Sequence, residues 1–161
     1  AKENGVMTAY DPNYYSAITT ADEAKENFTR ISSYVDILFM STKHDAINIL
    51  ELDSPENIIK KLWDMGIQIV VLKSSDNQGY YTGYNGNIVF TDFYTTEYVD
   101  TTCSGDAFNG GFLHAVTHGF TPFEAVKFAS IVAGLQAKGI GAIKSIPYKE
   151  EVYSIYRGNN G

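Results

Sequence analysis

Residues suited to chemistry are concentrated in the run from Asp100 to Leu113, which reads Asp-Thr-Thr-Cys-Ser-Gly-Asp-Ala-Phe-Asn-Gly-Gly-Phe-Leu. Small polar residues open the run, an apolar helical segment follows, and Asp106 lies at the junction. This pattern predicts a turn and then a helix whose first N–H groups, together with the helix dipole, favour an anion at one point. A carboxylate beside such an anion hole can accept a proton from an attacking hydroxyl. The run is therefore suited to phosphoryl transfer to an alcohol.

Alternating strands and helices would position this run. Strands are predicted at residues 5–10, 35–39, 67–72, 79–84 and 87–90, the last two joined as a hairpin by Asn85-Gly86. Helices are predicted at residues 20–34, 45–51, 54–65, 106–118, 121–138 and 147–157. Such alternation predicts an α/β fold with a mostly parallel sheet flanked by helices, and with ligands at the carboxyl ends of the strands. Four polar residues are expected at these ends: Asp11, Ser41, Lys73 and Asp100.

The first nine residues of the run resemble a signature of the ribokinase-like (PfkB) carbohydrate kinases, Asp-Thr-Thr-Gly-Ala-Gly-Asp-Ala-Phe, with seven of the nine positions matching. The segment from Ala129 to Ala142, with Ile146-Pro147 after it, resembles the adenine-side helix of that family and its terminal Gly-Ala and Ile-Pro. Near the start, the Asp-Pro-Asn of residues 11–13 is similar to the end of a strand in sugar kinases of the family, notably 2-keto-3-deoxygluconate kinases. Together these matches span nearly the whole chain in the order that the family has.

The resemblance implies a Rossmann-like ribokinase fold and transfer of a phosphoryl group from ATP, with Mg²⁺ bridging its phosphates, to a sugar hydroxyl. It implies that Asp106 is the catalytic base. The residues implied around it are an anion hole at Cys103, Ser104 and Gly105, and a monovalent cation such as K⁺ near Asp100 and Thr102.

The resemblance also implies where the nucleotide and the sugar would bind. The implied nucleotide-binding residues are Lys73, Ser74, Gly79, Ser130 and Gly141. Asp11 and Asn13 are the candidates for contact with the sugar. A ketose or a keto-deoxy sugar acid is the substrate class that the Asp-Pro-Asn segment suggests.

Several positions depart from the family pattern. Cys103 replaces the first glycine of the anion hole. Residues 41–44 read Ser-Thr-Lys-His where members usually carry Asn-x-x-Glu, although Asp45 lies one residue further on. Two alternatives to an active kinase therefore stay open: a catalytically weak, kinase-derived protein that binds nucleotide or sugar phosphate, and a stable fragment with no activity of its own.

The length of the chain, 161 residues, fits a single α/β domain over residues 1–161. Members of the resembled family are longer, with the sugar-binding residues and a β-lid mostly in their N-terminal half. We therefore expect a C-terminal part of such a kinase, without the N-terminal half and its lid. An exposed sheet edge would then favour association with another chain, including a homodimer.

Composition limits the remaining classes of function. Hydrophobic residues make up 44% of the chain, yet no apolar run reaches the ~18 residues of a membrane-spanning helix. The net charge of −7 argues against nucleic-acid binding. The single cysteine excludes an intrachain disulfide. We expect a cytoplasmic protein with a small sugar substrate and with neither nucleic acid nor membrane as a partner.

Overall fold

The β-branched run around Val70 forms the middle of the sheet. In the computed structural model, which describes residues 1–158, this run becomes strand β3 (Ile69–Ser74), and its first four residues are buried. The sheet has five strands in the order β1-β2-β3-β4-β5, and the remaining bounds are β1 Ala9–Tyr10, β2 Ile37–Ser41, β4 Gly79–Tyr84 and β5 Asn87–Asp92. Strands β1, β2 and β3 pair in parallel, and β3 pairs antiparallel with β4. The α/β class is confirmed.

The helices alternate with the strands before β4 and follow one another after β5. Their bounds are α1 Ala21–Ile31, a π-type helix Thr42–Leu50, α2 Pro55–Asp64, α3 Ser104–Thr117, α4 Pro122–Ala137 and α5 Lys149–Gly158. Short 3-10 turns occupy Lys2–Asn4 and Ser32–Tyr34. Within residues 1–158 no helix is both long and apolar enough to cross a membrane.

The chain forms two compact units, one covering Ala1–Phe90 and the other starting at Thr91. The first contains β1 to β4, α1, the π-type helix and α2, whereas the second contains α3, α4 and α5. The single domain that the sequence predicts for residues 1–161 stays a prediction.

The core of the first unit joins one face of the sheet to its helices. Alternate residues of a strand point to the same face, and here those of β2 and β3 pack with apolar side chains of α1, the π-type helix and α2. The members of this core include Phe28, Leu38, Met40, Ile49, Ile58, Ile59, Leu62, Val70 and Leu72. Burial of each such side chain contributes about 1.5–3 kcal/mol to stability. This core holds the carboxyl ends of β1, β2 and β3 at one edge.

The second unit is built on the packing of α3 against α4. A β-carbon at Gly111 would lie only 3.2 Å from the Cα atom of Ala129 and 2.9 Å from a methyl group of Val132. Glycine at this position therefore allows the two helices to approach closely. The buried apolar residues around this contact are Phe108, Phe112, Ala115, Ala125, Val126, Phe128 and Ala129. The close packing fixes the direction in which α3 presents its first turn.

Local signals in the sequence set several ends of these elements. The predicted capping box at the start of α1 is present: Thr20 Oγ1 accepts from Glu23 N at 3.3 Å, and Thr20 N donates to Glu23 Oε2 at 3.0 Å. Asn85 and Gly86 both have left-handed backbone, with φ of 49° and 75°, as a two-residue hairpin turn requires. Both features depend only on residues close together in the chain, and both predictions are confirmed.

The first strand is shorter than predicted. Ladder pairing starts at Ala9, opposite Ile37. One residue earlier, the N–H of Thr8 donates instead to a carboxylate oxygen of Asp36 at 2.8 Å. The side chain thus replaces the ladder partner, and Lys2–Asn4 turn away as a 3-10 turn. Because this edge strand has only two residues, it offers little backbone for pairing with another chain, and the homodimer stays a prediction.

The placement of Asp100 at the end of a strand is wrong. Strand β5 ends at Asp92, and the chain then runs as an irregular loop up to Cys103. This loop is attached to the end of α4, because the N–H groups of Val99 and Asp100 donate to the carbonyl of Ala137 at 2.8 and 3.1 Å. The C-terminal end of α4 therefore positions Asp100.

Candidate active site

The run singled out by the sequence forms a tight turn followed by α3, within the second unit. The N–H of Ser104 donates to the carbonyl of Thr101 at 3.0 Å, which closes the turn. Cys103 precedes the helix in left-handed conformation, with φ of 61° and ψ of 16°. The first helical bond runs from the N–H of Ala107 to the carbonyl of Cys103 at 2.9 Å. The helix thus begins two residues before the predicted start at Asp106.

Two amides of the first turn of α3 remain for an anion. The first N–H groups of an α-helix lack an acceptor within the helix, and the Cys103 side chain does not cap them. The N–H of Ser104 is already engaged with Thr101. Within the helix, this leaves the N–H groups of Gly105 and Asp106 at the positive end of the helix dipole. The predicted anion hole at Cys103, Ser104 and Gly105 stays a prediction.

Asp106 is the third residue of α3, and its side chain is exposed. The thiol of Cys103 hydrogen-bonds to its carboxylate, and this bond is the largest cause of a raised pKa at Cys103, ahead of burial and the charges of Asp106 and Asp100. The thiol therefore stays protonated at neutral pH and acts as a weak donor, not as a nucleophile. The carboxylate of Asp106 is accessible to a hydroxyl that would replace this thiol.

Asp100 connects the turn to the loop that follows α4. Its Oδ1 accepts the N–H of Thr102 at 2.9 Å, and its Oδ2 accepts the N–H of Gly141 at 3.0 Å. The side chain of Thr102, the N–H of Gly141 and the N–H of Thr102 lower the pKa of Asp100, in that order of effect. The carboxylate thus stays ionised in its role of joining two loops.

The oxygens of Asp100 and Thr102, the residues expected near a monovalent cation, accept hydrogen bonds from the protein, and a cation at these residues stays a prediction. Both carboxylate oxygens of Asp100 accept N–H donors. The carbonyl of Thr102 accepts the side-chain N–H of Gln136, with Nε2 at 2.9 Å. Within residues 1–158 no group of three or more His, Cys, Asp or Glu side chains could hold a metal ion.

Ser130 and Gly141, predicted to contact the nucleotide, both lie in the second unit. The buried Ser130 Oγ accepts the N–H of Tyr94 at 2.7 Å and donates to the carbonyl of Asp92 at 3.3 Å. It also lines a cavity of about 290 Å³, together with Thr91, Asp92, Tyr94, Lys127, Ile131 and Tyr156. Gly141 has a φ of 90°, a conformation that favours glycine. Contact of either residue with a nucleotide stays a prediction.

The first unit brings Lys73 and Asp11 together at the strand ends. Lys73 Nζ lies 2.6 Å from Asp11 Oδ2, and the side chains are only 21% and 20% exposed. Asp11 Oδ1 also accepts the N–H of Asn13 at 3.1 Å, in a turn where Asn13 has a φ of 45°. The sequence assigned Lys73 to the nucleotide and Asp11 to the sugar. In the structure their charges offset one another.

Ser74 and Gly79 lie at the base of the hairpin loop between β3 and β4. They are paired across the ladder, and both are buried. The left-handed residue of this loop is Gln78, with a φ of 51°. The exposed part of the loop is therefore residues 75–78, and a nucleotide role for Ser74 or Gly79 stays a prediction.

Comparison with known proteins decides the family of this chain. The profile of the pfkB family carbohydrate kinase matches residues 1–149. The chain belongs to this family. The ATP-dependent 6-phosphofructokinase of Thermoanaerobacterium thermosaccharolyticum is 31% identical over 156 residues, which cover 96% of this chain and 48% of that protein. This pfkB-family chain thus spans about half the length of the curated relatives it matches.

Solved structures confirm the ribokinase-like fold of the pfkB-family chain. A putative ribokinase II from E. coli, in complex with ATP and Mg²⁺, has a TM-score of 0.85 and 22% identity, covering 98% of this chain and 50% of that one. A fructokinase double mutant from Vibrio cholerae, bound to fructose, ADP and potassium ion, has a TM-score of 0.84 and 22% identity, with coverage of 95% and 51%. At these identities the likeness shows the fold alone.

Sequence reasoning missed two buried polar residues of this pfkB-family chain, Asp45 in the first unit and Gln136 in the second. Asp45 was noted only as a carboxylate beyond the Asn-x-x-Glu position, yet it is 3% exposed and accepts the N–H of Ser41 at 2.7 Å. The signal for it was the spacing of four residues from Ser41, directly after a strand. Gln136 was passed over within an apolar helix, although it is fully buried. A single amide on such a helix is the signal that could have found it.

Replacement of Cys103 by glycine is expected to raise the free energy of unfolding by about 1 kcal/mol, because a β-carbon in left-handed conformation is strained. The φ of Cys103 is 61°. Urea unfolding followed by circular dichroism measures the change. Cys103→Ala is the matched control, since it removes the thiol but keeps the β-carbon. Equal stabilisation by alanine and glycine would show that backbone strain is not the cause.

Proposed function

We propose that this chain forms the phosphoryl-transfer end of an ATP-dependent sugar kinase. The observation that carries the proposal is the first turn of α3, where the exposed carboxylate of Asp106 lies beside the N–H groups of Gly105 and Asp106. A proton acceptor next to an anion hole is the pairing that phosphoryl transfer to an alcohol requires. The pfkB-family match over residues 1–149 supports a carbohydrate as the alcohol.

In the proposed reaction, a sugar hydroxyl takes the place of the Cys103 thiol beside Asp106. The hydroxyl gives its proton to the Asp106 carboxylate as its oxygen bonds to the γ-phosphorus of ATP. The bond from the γ-phosphorus to the bridging oxygen breaks, and ADP leaves with that electron pair. The amides of Gly105 and Asp106 would stabilise the charge on the transferred group.

Mg²⁺ is the proposed cofactor, bound mainly through the nucleotide. The E. coli neighbour holds ATP with Mg²⁺, and magnesium in such sites is usually held by substrate phosphates, water and one or two carboxylates. The lack of a three-residue metal cluster within residues 1–158 is compatible with that mode. Bound in this way, Mg²⁺ would neutralise phosphate charge. For the substrate, we propose only the class, a sugar.

A second candidate function is a kinase-derived protein that binds nucleotide or sugar phosphate and turns over slowly. The observation that favours it is Cys103. Its backbone is in the left-handed conformation, and its thiol hydrogen-bonds to Asp106. A thiol there competes with the substrate hydroxyl for the carboxylate. Both candidates predict nucleotide binding, and they differ in whether Asp106 governs turnover.

Calorimetric titration of the full natural chain with ADP and MgCl₂ tests the property that both candidates share. We expect a Kd below about 1 mM, equivalent to roughly 4 kcal/mol of binding free energy. Adenosine is the matched control ligand. It lacks the phosphates that the amides of Gly105 and Asp106 would bind, so its affinity should be at least about tenfold lower, or 1.4 kcal/mol. A folded protein that binds neither ligand, or both equally, would contradict the proposed anion hole.

A further inference from the structure

A cavity of about 570 Å³, the α3–α5 cavity, lies between the end of α3 and one face of α5, within the second unit. Its volume is within the range of sites that bind small molecules. Two of the three histidines and one of the two arginines of the chain line it. The side chains around the cavity include His114, His118, Lys149, Tyr153, Ser154 and Arg157.

Positive charge in the α3–α5 cavity is not offset by nearby carboxylates. Lys149 and Arg157 are cations, and within residues 1–158 the one carboxylate among the lining residues is Glu150. Lys149 Nζ lies 3.9 Å from Glu150 Oε1, and the two side chains are 72% and 74% exposed, so this ion pair contributes little. Arg157 forms no ion pair with any residue that the structure describes. Such a cationic surface on a chain with a net charge of −7 favours an anionic ligand.

Packed aromatic rings position Arg157. Its guanidinium carbon lies 5.7 Å from the centre of the Tyr153 ring, a cation–π contact. Tyr153 packs in turn against Phe128 of α4, with the ring centroids 5.0 Å apart. A guanidinium that lies over a ring keeps the N–H groups at its edge available, and this planar fork matches two oxygens of a phosphate group. The Arg157 side chain is therefore suited to bidentate contact with an oxyanion in the cavity.

The two histidines add positive charge when they are protonated. Their ring centroids are 4.0 Å apart. His118 Nδ1 lies 2.7 Å from the carbonyl oxygen of His114, which can only accept, so Nδ1 carries a proton and a second proton would bind at Nε2. Burial, and then the charges of His118 and Lys149, lower the pKa of His114. An anion in the cavity would offset this repulsion between cations.

We propose that the α3–α5 cavity binds a tetrahedral oxyanion, either free phosphate or the phosphate group of a small metabolite. Arg157 donates two N–H groups to it, and Lys149 supplies a point charge. Protonated His114 donates from Nε2 to Tyr153 Oη, 3.2 Å away, which leaves the Tyr153 O–H to donate to the anion. The site goes beyond the proposed function and does not depend on it, because His114 follows Asp106 by eight residues, or about 12 Å along α3.

Histidine side-chain NMR of the full natural chain tests the proposal at the cavity itself. The signals of His114, His118 and His44 are assigned by single substitutions to Gln. They are followed at pH 7 during titration with inorganic phosphate, while chloride keeps the ionic strength constant. We expect the signals of His114 and His118 to shift with a Kd on the order of 1 mM, and the pKa of His114 to rise, because a nearby anion favours the imidazolium. His44, exposed in the first unit, is the internal control. Signals that do not move, or that move equally at all three histidines, would overturn the proposal.

Two arginine variants separate a specific site from a general effect of charge. Arg157→Gln removes the bidentate donor and should weaken phosphate binding at least about tenfold, or 1.4 kcal/mol. Arg30→Gln, at an exposed position of α1, removes the same charge from the first unit and should leave the Kd unchanged. An equal loss in the two variants, or no loss in Arg157→Gln, would contradict the placement of the oxyanion at Arg157. If Arg157→Gln fails to fold, the histidine signals of the unaltered protein still decide.

Titration with glycerol 3-phosphate separates the two sources of the oxyanion. If this phosphomonoester binds at least about threefold more tightly than inorganic phosphate, the occupant is the phosphate group of a metabolite, whose remaining atoms contact the cavity walls. Equal or weaker binding identifies free phosphate as the occupant. Failure of both probes to shift the signals of His114 and His118 would overturn the proposal. These measurements use neither nucleotide nor turnover, so their failure is distinguishable from a failure of the proposed kinase function, which ADP binding tests.

Discussion

Asp106→Asn is expected to lower kcat by at least about 100-fold in the full natural chain, the lower scale of general-base catalysis. Asparagine preserves the size of the side chain and an oxygen that can accept from the Cys103 thiol, but it cannot take up the proton of the sugar hydroxyl. KM should change little, because the lost interaction belongs to the transition state. Steady-state kinetics with ATP and a panel of sugars, followed by ADP formation, measures both constants.

The matched control for this prediction is Asp22→Asn. Asp22 is an exposed carboxylate in the first turn of α1, so its replacement changes a helix-dipole interaction of the same kind as at Asp106. It should leave kcat unchanged. An unchanged kcat in Asp106→Asn would rule out Asp106 as the base, whereas slow turnover that is equal in the variant and the unaltered protein would favour the kinase-derived binding protein.

Asp45→Ala is expected to lower the free energy of unfolding by about 3 kcal/mol or more, since it leaves several donors without an acceptor, each costing about 1–3 kcal/mol. The carboxylate accepts the N–H of Tyr14 at 2.7 Å, the N–H of Ser41 at 2.7 Å and the Oγ of Ser41 at 2.6 Å. These bonds connect the end of β2 and the π-type helix to the segment after β1. Urea unfolding followed by circular dichroism, with the slope m reported, measures the loss.

Two variants separate the hydrogen bonds of Asp45 from other effects. Asp45→Asn keeps one acceptor oxygen and should lose only part of the stability. Asp53→Ala removes an exposed carboxylate and should change the free energy of unfolding by less than about 0.5 kcal/mol. A loss below about 1 kcal/mol in Asp45→Ala would show that the three donors find other partners, such as water.

Local parts of the fold and of the site could be predicted well from the sequence. The hairpin turn at Asn85-Gly86 and the capping box of Thr20 and Glu23 depend on contacts within a few residues, and both are present. The same holds for the turn before α3, where small residues and Asp106 lie at a helix start. The predicted ends of the strands were less accurate. Strand β1, for example, is shortened by a hydrogen bond to Asp36, which lies elsewhere in the chain.

Contacts between distant residues could not be predicted, because side-chain partners are selected when elements pack together. Lys73 and Asp11 are 62 positions apart, and each was assigned to a different ligand before the structure placed them at 2.6 Å. Asp100 was expected at a strand end, whereas the carbonyl of Ala137 at the end of α4 positions it. Neither partner is marked by any pattern of spacing.

The sequence by itself determined the family and the order of the elements, and it predicts Asp106 as the base. It did so because a short run of small residues with Asp106 at a helix start is a local pattern, which depends only on residues close together in the chain. Only the tertiary structure decided which oxygens and amides of that run are free. The carbonyl of Thr102 is engaged by Gln136 from a separate helix, and only the packing of α3 against α4 brings that amide into reach.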